Sequence, residues 1–362
     1  MTDVSTLLFV AQTGQLSGAE KVLLDLVGEA LAQGYAAIVA CPAGPLVDAL
    51  PAASTHVPIP ALGMGGERSF ARLLGAAQLA ARWRAAARIL APLARTPGTE
   101  TIVNSLFALP AVRMARPPRG AGWLVHDTIT STKQRAATRL GAPAVRVAVA
   151  VSEATARPLR AFGFPVRVAH NGVRWPVPRL TGADLHDPPV VGMLALLTPW
   201  KGHRVLLDAV ARLPGVQVEL AGGSFPGDVG YVAELHARAA RPDLAGRVRF
   251  LGHVDACAAL RRWDVAVSAS ISPEAGPLSV LEAMSHGLPV IGTDHGGTTE
   301  FLSGGAGFLV PPGDEVALAD AIATVLRDDD VRSALSTTAR RRVAEHHDLR
   351  TTLPAMLRTL LG

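Results

Sequence analysis

Apolar residues come in short, nearly continuous blocks, and the pattern runs twice along the chain. In the first half the blocks are LLFVAQ (7–12), AAIVAC (36–41), TIVN (101–104), WLVHD (123–127) and VRVAVAVS (145–152). Strands buried on both faces of a parallel sheet lose the in–out alternation of exposed sheets and look like this. Ala/Leu-rich stretches at 18–33, 70–95, 131–140 and 153–162 predict helices between them. The second half repeats the scheme with VVGMLAL (190–196), VQVELAG (216–222), VRFLG (248–252), DVAVSAS (264–270) and LPVIGT (288–293). Helices are predicted there at 203–213, 229–240, 277–286 and 314–327. Alternating βα units define an α/β architecture with helices on both sheet faces.

The stretch HNGVRWPVPRLTGADLHDPP (170–189) breaks the periodicity with Pro, Gly and Asp, and marks a seam. The sequence therefore predicts two doubly wound, Rossmann-like parallel-sheet domains facing a cleft. They span 1–173 and 174–345, and 346–362 forms a C-terminal helix packing back on the first. Ligands of such sheets bind outside the carboxyl ends of the strands, so the cleft is the expected site.

Composition narrows the class. Hydrophobic residues make up 49% and charged ones 18%, which excludes a disordered chain. No apolar run approaches the roughly 18 residues of a membrane span. The start MTDVSTLLFVAQTG has no basic region ahead of its apolar run, so no secretory leader is expected. Cys41 and Cys257 cannot build a disulfide framework. These features predict a cytoplasmic protein with reduced thiols. Charge is split: residues 1–173 carry 17 basic and 9 acidic groups, residues 174–362 carry 18 and 21. Arg68 to Arg95 holds six arginines and no acid. That half could attract an anionic substrate or an anionic membrane surface. Only three of the basic residues are lysine: Lys21, Lys133 and Lys201.

Four segments can carry chemistry. In SPEAGPLSVLEAM, Glu274 lies in a turn-prone loop and Glu282 lies inside the helix that follows. The free N–H groups and dipole of that helix start favour an anion, and the two carboxylates can accept hydrogen bonds from sugar hydroxyls. TPWKGH places Lys201 at a strand-to-helix turn, as a point charge for a phosphate. GQLSGAEKV offers Gly14 and Gly18 for close backbone approach, without the spacing of a dinucleotide fingerprint. VHDT ends a strand with His126 and Asp127.

With these segments the chain resembles the retaining glycosyltransferases of family 4, which have the two-domain GT-B fold. The resemblance runs nearly end to end through SGAEKVLLDL, LVHD, VSEATARPLRAFGF, NGV, PWKGH, LAGG, VRFLGHV and PEAGPLSVLEAMSHGLPVIGTDHGGTTEFL, closing with GFLVPPGDEVALADAIATVL. It implies that Glu274 contacts the donor sugar and Glu282 the ribose of a nucleoside diphosphate sugar, with UDP the favoured nucleotide. It implies that Gly276, Leu278 and Ser279 line sugar and diphosphate, that Lys201 binds the diphosphate, and that Gly18 approaches the donor. His126 matches the histidine beside the reacting sugar, and Gly252 and His253 the segment at the nucleobase. The catalytic set is then His126, Lys201 and Glu274, with no cofactor and no metal. Asp328-Asp329-Asp330 reads as a solvated acidic turn, and His346-His347 as surface.

Two departures stand out. The family arginine five residues before the lysine is Leu196 here, with Arg204 a candidate substitute. The usual Pro-Phe-Gly after the first glutamate is Ala275-Gly276-Pro277. The implied partners are a nucleotide-sugar donor and a small-molecule, glycan or lipid-linked acceptor, with peripheral membrane contact through the basic half and no nucleic acid. Competing readings are a non-catalytic relative of the same fold and a nucleotide-sugar epimerase or sugar phosphorylase.

Overall fold

The computed structural model describes residues 4–63, 71–178 and 185–362. Arg68, at the start of the arginine-rich stretch, lies outside the described residues. The chain divides into two compact units, 1–171 with 351–362, and 172–350.

The first unit is built from β1 (Thr6–Val10), α1 (Gly18–Ala32), β2 (Ala36–Cys41), α2 (Pro45–Asp48), β3 (Thr55–Pro58), α3 (Ala71–Ala94) and β4 (Thr99–Val103). It continues with α4 (Leu109–Ala115), β5 (Ala121–Val125), α5 (Thr132–Gly141), β6 (Val145–Ala150), α6 (Glu153–Leu159) and β7 (Val166–Val168). All pairings are parallel, in the order β3-β2-β1-β4-β5-β6-β7. The apolar blocks become the central strands: Leu7 through Val10 and Ala121 through Val125 are buried on both faces.

The second unit contains β8 (Val190–Leu194), α7 (His203–Ala211), β9 (Gln217–Ala221), α8 (Val229–Ala239), β10 (Val248–Gly252), α9 (Ala256–Leu260) and β11 (Val265–Ser268). It ends with α10 (Leu278–His286), β12 (Val290–Thr293), α11 (Gly296–Leu302), β13 (Phe308–Val310), α12 (Glu315–Arg327) and α13 (Asp329–His346). Its sheet is also parallel, ordered β10-β9-β8-β11-β12-β13. In both sheets the strand order reverses once, between β1 and β4 and between β8 and β11. A doubly wound sheet opens its ligand crevice at that reversal.

The last helix, α14 (Leu349–Leu361), returns to the first sheet. Gly122 on β5 makes room for it: a Cβ there would stand 2.5 Å from the Leu360 carbonyl oxygen. Arg146 on β6 donates to the Leu360 and Leu361 carbonyls at 2.9 and 2.5 Å, satisfying the acceptors that a helix end leaves open.

Two sequence expectations are corrected. Asp328-Asp329-Asp330 does not form a plain turn. Asp328 ends α12 and caps α13, accepting from Val331 N–H at 3.0 Å, and Asp329 and Asp330 occupy the positive end of α13. His346 is exposed as expected, whereas His347 is 3% exposed and packs edge-on against Phe301 with ring centroids 4.9 Å apart.

Gly202 sits in a tight turn of the second unit. It precedes α7 with φ of +79°, and a Cβ would stand 1.9 Å from the Ala269 carbonyl oxygen. Gly202→Ala combines left-handed strain with a backbone clash and is expected to cost roughly 2–5 kcal/mol. Urea unfolding of the variant checks this, and an unchanged midpoint would refute it.

Candidate functional site

At the β8/β11 reversal two loops meet. The chain leaving β8 makes a 3-10 turn over Pro199–Lys201, and Gly202 then forms the N-cap of α7. The chain leaving β11 runs through Ser270 and Glu274 into α10. Ile271 N–H donates to the Trp200 carbonyl at 2.8 Å and stitches the loops together.

Side chains complete the join. The Lys201 ammonium donates to Glu274 Oε2 at 2.5 Å and stands 4.3 Å from the centre of the Trp200 ring. Glu274 is 7% exposed, and Ser270 and Ser268 hydroxyls donate to its Oε1, the latter at 3.5 Å. Its backbone is gripped from behind. Gly297 N–H donates to the Glu274 carbonyl at 2.7 Å, and Gly296, with φ of +60°, packs so closely that a Cβ would stand 2.3 Å from that oxygen. A buried carboxylate held by two hydroxyls, one ammonium and a locked backbone is a fixed acceptor.

Gly276, Leu278 and Ser279 are half-buried in the adjoining loop and first turn of α10. Pro277 occupies the N-cap and no side chain caps this helix start. Glu282 is half-buried in the second turn. Gly252 and His253 are exposed at the end of β10, where Gly252 has φ of +66° and its carbonyl accepts from Gly222 N–H at 2.8 Å. Arg204 is exposed on α7 with Asp208 3.9 Å away, and lines a cavity of about 640 Å³ with Tyr231, Glu234 and Glu315. Neither Lys201 nor Glu274 lines that cavity. Leu196 is half-buried.

The first unit has its own crevice at the β1/β4 reversal. Ser105 Oγ accepts from Gln12 N–H at 3.2 Å, and Gln12 Oε1 from Phe107 N–H at 3.1 Å, tying the two loops. His126 lies just past β5, with Nε2 3.0 Å from Asn104 Oδ1. The ring is partly open to solvent but deeply surrounded, and this burial pushes its pKa down to about 4. Asp127 next to it is raised by burial, although Leu106 N–H donates to it. Glu20 is 4% exposed and accepts from Ser17 Oγ at 2.5 Å; burial raises it, with the Asp127 charge adding. Gly18 is exposed at the first position of α1. Trp83 of the arginine-rich helix turns inward, donating to the Phe107 carbonyl at 2.7 Å.

Ser268 and Ser270 join Lys201 and Glu274 at the site without standing out in the sequence. Small polar residues at a strand's end were the available signal, and their placement depends on how far β11 extends.

His203, the first residue of α7, is fully buried and edge-on to Tyr231 at 6.2 Å. Burial and then the Lys201 charge push its pKa down to about 4. An unfolded imidazole titrates near 6.5, so between these values the unfolded chain takes a proton that the folded one refuses. Stability is complete above pH 6.5 and drains away as pH falls toward 4, by on the order of 3 kcal/mol for this residue. His126 acts in the same direction, and the raised Glu20 and Asp127 oppose it. Urea unfolding at pH 7 and pH 4.5 is expected to show a smaller acid loss for His203→Gln than for the unchanged protein. Equal losses would refute it.

Residues 16–174 match the family model described as Glycosyltransferase Family 4, and residues 188–328 the one described as Glycosyl transferases group 1. The Anabaena HepE structure in complex with UDP-glucose superimposes with a TM-score of 0.83 at 25% identity, covering 98% of this chain and 99% of that one. Two parallel-sheet units, each with a crevice at its reversal, define a GT-B fold. The two family matches take in both units, and the chain belongs to glycosyltransferase family 4. A phosphatidyl-myo-inositol mannosyltransferase of Mycobacterium leprae is 36% identical over 200 residues, 51% of this chain and 50% of that protein. A lipopolysaccharide core biosynthesis glycosyltransferase, LpsE, of Rhizobium meliloti is 35% identical over 152 residues, 41% of this chain and 43% of that protein. The matched stretches thus span about half the length of these relatives, or less. No described helix is long and apolar enough to cross a membrane.

Proposed function

We propose that the protein is a retaining glycosyltransferase. It moves a hexose-like sugar from a nucleoside diphosphate, UDP in this reading, to a hydroxyl of a natural-product, polysaccharide or lipid-linked acceptor. The observation that carries the reading is the Lys201–Glu274 pair, 2.5 Å apart at the β8/β11 reversal and beside the start of α10. The UDP-glucose bound by the HepE relative, the phosphatidyl-inositol in the mannosyltransferase's name and the lipopolysaccharide core in that of LpsE support the substrate classes.

In this reading the second unit holds the donor. Glu274 and Glu282 accept hydrogen bonds from sugar and ribose hydroxyls. Gly276, Leu278 and Ser279 border sugar and diphosphate, and Gly252 and His253 border the base. The anomeric C–O bond to the diphosphate breaks through an oxocarbenium-like state, and negative charge grows on the leaving phosphate. Lys201 has three donors and spends one on Glu274. The others, with the N–H groups of α10, stabilise that charge as it forms. The departing phosphate takes the acceptor's proton on the face it has just left, so anomeric configuration is retained and no enzymic nucleophile is required. No metal is required, so turnover should persist in EDTA. The first unit takes the acceptor, with Gly18 and His126 at its crevice. Its excess of basic groups suits an anionic acceptor or peripheral contact with an anionic membrane in the cytoplasm.

The test is thermal unfolding with a panel of nucleoside diphosphates and their sugars. A nucleotide at a hundred times its Kd should stabilise by about 2.7 kcal/mol. UDP should raise Tm in the unchanged protein and not in Lys201→Ala. Absence of any shift at millimolar nucleotide would overturn the donor assignment. Product analysis then separates transfer, which releases the diphosphate, from epimerisation, which keeps it attached.

A further inference from the structure

We infer that Asn104 is the positioning residue of His126: it fixes which ring nitrogen carries the proton, leaving Nδ1 as a bare hydrogen-bond acceptor. This deepens the proposed function and rests on it only for the claim that His126 serves the transfer.

Asn104 follows β4 directly at the sheet reversal and is 2% exposed. Its backbone is pinned by its own N–H, which donates to the Val10 carbonyl at 2.9 Å. Its side-chain amide reaches two groups. Nδ2 donates to the Ala19 carbonyl in the first turn of α1 at 3.3 Å, and Oδ1 lies 3.0 Å from His126 Nε2. A backbone carbonyl can only accept, so the NH₂ end must face Ala19 and the C=O end must face the ring. Flipping the amide would set two oxygens against each other and NH₂ against the ring. A carbonyl oxygen can only accept as well, so Nε2 must be the protonated nitrogen.

Burial keeps the ring neutral near pH 7. A neutral imidazole protonated at Nε2 has its lone pair on Nδ1 and nowhere else. His126 can therefore take a hydrogen bond from a substrate hydroxyl at Nδ1, and cannot give one from that atom. Asn104 also links α1 to the loop after β5, so the ring's azimuth is set by the element that carries Gly18. The other ionisable groups of this crevice are Asp127 on the same loop, Glu20 on α1 and Cys41 at the end of β2.

The tautomer is read directly by ¹⁵N NMR of histidine-labelled protein, with His126 assigned by its disappearance in His126→Gln. The unchanged protein at pH 7 should show a pyrrole-like Nε2 and a pyridine-like Nδ1. Asn104→Asp, whose carboxylate also only accepts, should keep that pattern. Asn104→Ala should move both resonances toward averaged positions and lower kcat by on the order of tenfold. If Asn104→Ala does not fold, the unchanged protein and Asn104→Asp still decide the matter. A pyrrole-like Nδ1 in the unchanged protein, or the same spectrum in Asn104→Ala, would overturn the inference. Because the spectrum needs no substrate, its failure is distinct from failure of the donor assignment. A confirmed tautomer with unchanged kcat in Asn104→Ala would remove the positioning role.

Discussion

Lys201→Ala is expected to lower kcat/KM by about 10²–10³-fold, corresponding to about 2.7–4 kcal/mol of lost transition-state stabilisation. The effect is large because Lys201 is the cation set directly against Glu274 at the β8/β11 reversal. The position five residues earlier holds Leu196, and Arg204 faces Asp208 and the cavity around Tyr231. If charge on the leaving diphosphate is what Lys201 meets, the loss falls mainly on kcat. Lys201→Arg should recover little, since a planar guanidinium does not fit the place of a compact ammonium 2.5 Å from Glu274 and 4.3 Å from the Trp200 ring. Single-turnover kinetics with saturating donor would separate the cases. A variant with unchanged kcat and raised KM would mean that Lys201 only binds.

Removing the other half of the pair should cost as much. Glu274→Ala strips the hydrogen-bond acceptor from Lys201, Ser270 and Ser268 at once and leaves an ammonium with 15% side-chain exposure unpaired. A fall of about 10²-fold or more in kcat/KM is expected, along with a loss of stability of about 3 kcal/mol from the uncompensated charge. The double variant Lys201→Ala/Glu274→Ala should be much less damaged than the sum of the two, because each change already breaks the unit. Full additivity in a double-mutant cycle, measured on both activity and urea midpoint, would show that the two act independently.

Legibility in the sequence followed burial. The central strands were visible because both faces are covered and their residues are apolar without interruption. Three strands escaped. β3 ends in proline, β7 is the half-exposed VRV, and β13 has only three residues; edge strands like these carry little pattern. Short helices such as α4 and α11 escaped because a stretch of seven residues shows barely two turns of periodicity. The block WLVHD predicts a strand running to residue 127, yet β5 begins earlier, at Ala121, and stops at Val125, so that His126 stands in the loop. Lys201 and Glu274 stand out in the sequence through their place at strand-to-helix turns and the family resemblance around them, not through residue type alone. Ser270 and Asn104 do not, since their meaning lies in which carboxylate or ring each one reaches across the fold.

The return of α14 to the first sheet has an engineering consequence. Residues 172–350 form one unit, and the first resumes after them at 351. In the language of chimeras, the second unit is an insertion inside its neighbour, joined by two chain crossings. Exchanging it with that of a relative therefore needs two splice points. A fusion cut once, near residue 172, would carry off Leu360 and its neighbours and leave the notch at Gly122 and the Arg146 guanidinium without their native cover.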